Sequence, residues 1–70
     1  MKRIENFDGS VTYRIEYRGI GVQETISEPM LKALKSMPRL NYQKENWYED
    51  SILMTLIIKW NELSQNTNNQ

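Results

Sequence analysis

The sequence predicts one small α+β domain, a three-stranded antiparallel β-meander followed by two α-helices. Three observations predict it. Apolar and polar residues alternate strictly from Val11 to Tyr17, glycine-bearing turn signals flank that stretch, and two helix-start signals lie further along, each followed by apolar residues at helical spacing.

The alternation puts Val11, Tyr13, Ile15 and Tyr17 on one face and Thr12, Arg14 and Glu16 on the other, the pattern of a half-buried strand over 11–18. Asp8-Gly9 before it suits a tight turn that needs positive φ, so residues 2–7 are expected to pair as a preceding strand. After it, Gly19-Ile20-Gly21 offers two permissive turn residues, and a third strand is expected over 21–26.

Ser27 followed by Glu28-Pro29 reads as a helix start, with a hydroxyl to cap free amides, an acid in the first turn, and proline where its missing donor does no harm. That helix is expected over 28–37, with Met30, Leu31, Ala33, Leu34 and Met37 on its apolar side and Pro38 stopping it. Residues 38–45 follow as a linker. Asn46 with Glu49 three residues later resembles a capping box, and opens a second helix over 47–63. The stretch Ser51–Ile58 also holds sheet-favouring residues, but the start signal and the length of the helical pattern outweigh them.

At roughly 100° per residue, Ile52, Leu53, Leu56, Ile57, Trp60 and Leu63 share one arc of the second helix, its expected core face. Ser51, Thr55, Lys59 and Glu62 form the expected polar stripe. Residues 64–70 hold no apolar side chain and are expected to form a disordered polar tail, leaving 1–63 as the domain.

The inventory narrows the chemistry. The chain has no Cys and no His, which removes disulfides, thiolate nucleophiles, the usual zinc sites and imidazole acid–base catalysis. No cofactor, metal site or enzymatic activity is expected. Glu49 and Asp50 are adjacent carboxylates, but consecutive helical positions diverge, and acids are common in a first turn because they suit the helix dipole. The amino terminus lacks the apolar stretch of a signal peptide, and no apolar run approaches a membrane span, so a cytoplasmic location is expected.

Nine basic and nine acidic side chains cancel. A small domain gains stability when a partner covers its apolar surface, and this one has two places to receive a partner. Trp47, Met54 and Ile58 cluster away from the core arc on a helical projection, and Tyr48 and Tyr42 flank the linker; these five are the expected protein-binding residues, because aromatic and Met side chains concentrate at interface centres. The same face would be internal if the helix were wedged between two layers. Lys32, Lys35 and Arg39, with Arg14 and Arg18 on the outward face of the hairpin, are the expected contacts for nucleic acid or an acidic partner.

The leading expectation is a non-enzymatic protein-binding module that inhibits or modulates a host protein stoichiometrically, of the kind phages and mobile elements carry. Self-association into a homodimer through the same face is open beside it. The alternative is a small DNA-binding regulator or recombination accessory factor of winged-helix-like or ribbon-helix type.

Overall fold

In a computed structural model of the chain, residues 1–38 and 46–68 are described, the side chains of 66–68 excepted. Strands β1 (Lys2–Glu5), β2 (Val11–Tyr17) and β3 (Ile20–Ile26) form one antiparallel sheet in the order β1-β2-β3, and helices α1 (Glu28–Ser36) and α2 (Tyr48–Asn68) follow. The expected α+β meander with two helices is therefore the observed fold. α2 runs past the boundary expected at 63, since neither Gly nor Pro interrupts the chain there.

The first turn is built by Asp8, whose carboxylate accepts hydrogen bonds from the Ser10 amide and hydroxyl at 3.0 and 2.6 Å, while Gly9 takes φ +89°. The second turn differs from the expected one. Arg18 and Gly19 form it, with φ +53° and +77°, and Ile20 already pairs with Tyr17. A two-residue hairpin loop of this kind needs positive φ at both central positions, which matches the twist of the flanking strands. Gly21 instead sits inside β3, where its lack of a Cβ leaves room for the Arg14 guanidinium.

Pairing register assigns the two faces. Arg3 lies opposite Tyr13 and Tyr13 opposite Glu24, so Arg3, Glu5, Val11, Tyr13, Ile15, Val22, Glu24 and Ile26 share the face that the helices cover. Lys2, Ile4, Thr12, Arg14, Glu16, Gln23 and Thr25 share the other, which no described element covers. Thr12 is buried even so, because its hydroxyl pairs with Thr25 at 2.9 Å and accepts from the Asn6 amide at 3.1 Å.

The core is one cluster: Val11, Tyr13 and Val22 from the sheet, Leu31 from α1, and Tyr48, Ile52 and Leu56 from α2. α1 begins as its sequence signal predicts, with the Ser27 hydroxyl accepting from the Met30 amide at 3.4 Å, and it commits one buried side chain, Leu31, to the core. α2 lies along β2 in the same direction, Glu49 meeting Tyr13 near its start and Trp60 meeting Tyr17 further on.

Leu56 is fully buried, so Leu56→Ala is expected to cost about 2–5 kcal/mol, a loss of transfer energy plus a cavity. Met54→Ala, two residues away, is expected to change stability by no more than about 0.5 kcal/mol, because its side chain contributes to no core contact. Urea denaturation of the two variants in dilute solution separates these outcomes.

Candidate functional site

Three polar side chains of α2 point at the sheet and decide which way the helix is turned. The Tyr13 hydroxyl, on a fully buried side chain, donates to Glu49 Oε2 at 2.6 Å. Lys59 pairs with Glu24 on β3. Trp60 Nε1 donates to the Tyr17 carbonyl at 2.9 Å while its ring tilts against Tyr17 at 5.5 Å.

Glu49 is the junction of a wider network. Its carboxylate also accepts from Asn46 Nδ2 at 2.5 Å and faces Arg3 Nε at 3.7 Å, and Arg3 pairs with Glu5 beside it. The bond from Tyr13 holds the Glu49 carboxyl below the usual carboxylate range against the opposing effect of burial, with Asn46 and Arg3 adding to the bond. Burial, and then the bond to Glu49, pushes the Tyr13 phenol up to about 12. The Asn46–Glu49 pair expected from the sequence does form, but differently: the Asn46 carbonyl, and not its side chain, accepts from the Glu49 amide, at 3.0 Å.

Lys59 on Glu24, with Tyr48 buried, leaves α2 turned from the orientation that its apolar residues alone predict. Tyr48, expected at the surface, turns inward and is 6% exposed. Ile57, expected in the core, is turned outward at 41% exposure, whereas Leu63 keeps the inward side of Ile52 and Leu56, lines a cleft with Val22 and Lys59, and is 46% exposed. Lys59, expected on the outer polar stripe, reaches the sheet. Tyr17 was also expected in the core and is largely exposed, because at the end of β2 only the Trp60 ring leans on it.

The rotation leaves Met54 at 61% exposure and Ile58 at 54%, with Ile57 between them and Leu53 half-buried at the margin. Along this outward face from Asp50 to Gln65 the other residues are Ser51, Asn61 and Ser64, with Asp50 the charge upon it and exposed Glu62 at the margin opposite Leu53. Trp47 does not join it. It precedes the first helical residue, packs edge-on against Tyr48 at 6.3 Å, and lines a groove of about 330 Å³ with Ile26, Leu34 and Ile52. Tyr42 lies outside the described residues.

The basic residues do not converge. Arg14 lies on the open sheet face, bonded to Gln23 and paired with Glu16. Arg18, expected beside it, stacks over the Tyr17 ring at 5.2 Å, on the side where the helices lie, because the turn begins one residue earlier than expected. Lys32 pairs with Glu28 along α1, Lys35 borders a cleft with Arg3 and Glu5, and Arg39 lies outside the described residues.

No described helix is long and apolar enough to cross a membrane. Comparison with protein-family models, curated proteins and solved structures finds no match.

Burial of the Tyr13 phenol and its bond to Glu49 give stability a defined pH dependence. Tyr13 ionises near 10 in the unfolded chain and near 12 in the fold, so its contribution is fully present below pH 10 and is lost as pH rises to 12. Glu49 works at the other end: its folded pKa is depressed, so its contribution is present above the ordinary carboxylate range and lost as pH falls through the folded value. The stability difference between the wild type and Tyr13→Phe, taken from urea midpoints, is expected to narrow across the alkaline window. A difference that stays constant to pH 12 contradicts the bond.

Proposed function

We propose that the chain is a non-enzymatic protein-binding module whose contact surface is the outward face of α2, centred on Met54, Ile57 and Ile58. The observation that carries the reading is the contiguous exposure of these three apolar side chains on a face whose charges, Asp50 and Glu62, lie toward its edges. A helix on a monomer surface ordinarily presents charged and polar residues outward, and apolar patches are usually kept small unless something binds them. Burying such side chains against a partner contributes roughly 25 cal/mol per Å² of apolar surface removed from water.

The effect of such a module is stoichiometric: it occupies a surface of its partner and thereby inhibits or redirects it, in the manner proposed for a phage or mobile-element modulator of a host protein. The distribution of charge supports a protein partner over nucleic acid. Phosphate recognition calls for basic groups gathered on one surface, whereas Arg14 and Lys32 sit on elements at opposite faces of the sheet and each is already paired with an acid.

A photo-crosslinking amino acid placed at Met54 or Ile58 in producing cells is expected to yield a discrete adduct heavier by the mass of a whole protein. The same probe at Glu16, on the open sheet face, is expected to yield none. Equal labelling from all three positions, or no protein adduct from 54 and 58, overturns the assignment.

A further inference from the structure

We propose, resting on the binding face assigned above, that a second copy of this chain, in place of a foreign protein, is seated on it, with α2 packed antiparallel against α2 about a two-fold axis between Ile57 and Ile58. The pattern of the face carries this. A two-fold at that point brings Ile57 onto Ile58, Met54 onto Asn61, Ser51 onto Ser64 and Asp50 onto Gln65. Apolar side chains then meet at the centre and polar ones at both ends, the self-complementarity that an isologous interface requires. The spacing 50, 53/54, 57, 61, 64 is that of a two-helix seam, in which one polar side chain such as Asn61 fixes register and orientation.

Charge selects the antiparallel arrangement. In a parallel pair the two Asp50 carboxylates would face each other across a helix spacing of about 8–10 Å. In the antiparallel pair they lie about 22 Å apart along the helices, twice the reach of an unscreened charge in salt solution. The macrodipoles oppose in the antiparallel pair and repel in the parallel one. Length argues the same way: α2, at 21 residues, spans about 32 Å, against about 23 Å for the seven-residue strands it covers, so part of the helix extends beyond its own sheet and is available to a second copy.

The test is light scattering on the full chain across a concentration series. The mass is expected to rise to twice 8.4 kDa, and Ile57→Asp is expected to hold it at the single-chain value with an unchanged far-ultraviolet spectrum. Orientation is read separately, since the chain has no cysteine of its own. A mixture of Met54→Cys and Asn61→Cys chains is expected to form the 54–61 disulfide between copies in preference to 54–54. A chain that stays single at every concentration, a dimer indifferent to Ile57→Asp, or preferential 54–54 bonding overturns the inference. A single-chain mass together with a crosslinked foreign protein at Met54 would remove the second copy while leaving the binding face standing.

Discussion

The phenol of Tyr13 is carried by a fully buried side chain beneath the helices, at the centre of the middle strand. Leaving such a hydroxyl unpaired would cost roughly 1–3 kcal/mol, a large share of what a small domain possesses. Glu49 satisfies it from the first turn of α2, and in doing so fixes both where that helix begins on the sheet and which of its sides turns inward. Arg3 and Asn46 hold the same carboxylate from β1 and from the residues ahead of the helix, so one charged group gathers three parts of the chain.

Once Glu49 is fixed, the remainder of α2 has little freedom. Lys59 meets Glu24 and Trp60 meets the Tyr17 carbonyl about three turns on, and the arc between these polar contacts is filled by Ile52 and Leu56. The helix has more apolar residues than this arc accommodates. The surplus, Met54, Ile57 and Ile58, is left facing outward, and the proposed function follows from that surplus. A 70-residue chain with one sheet face that no described element covers, and α1 held by a single buried leucine, has few other means among the described residues of adding buried area.

The strands were legible because alternation is a local signal, and every core residue of β2 was placed on the correct face by it. The first helix was equally legible from Ser27 and Pro29. The second turn was read one residue late because glycine at 21 looks like turn chemistry, while it sits inside β3 beside the Arg14 guanidinium, a contact formed only when the sheet pairs. The setting of α2 was misread for a related reason. A wheel weighted by apolar residues treats Lys59 as outward-facing, yet it is drawn inward by Glu24, 35 residues away in sequence. Tyr48 was assigned to the surface and Ile57 to the core by the same omission. What signal existed lay in Glu24 and Arg3, charged residues on the core-facing register of their strands, which needed counterparts from whatever covered them.

Because the chain lacks cysteine, single cysteines introduced at 52, 54, 56, 57 and 58 report the setting of the helix without interference. In dilute solution, thiol-labelling rates are expected to be fast at 54, 57 and 58 and strongly suppressed at 52 and 56. Position 57 is the discriminating one, since the apolar pattern alone buries it and the observed setting of the helix, with Tyr48 inward and Lys59 on Glu24, exposes it. A cysteine at 57 as protected as one at 52 would contradict the account, because the outward apolar face would then not exist.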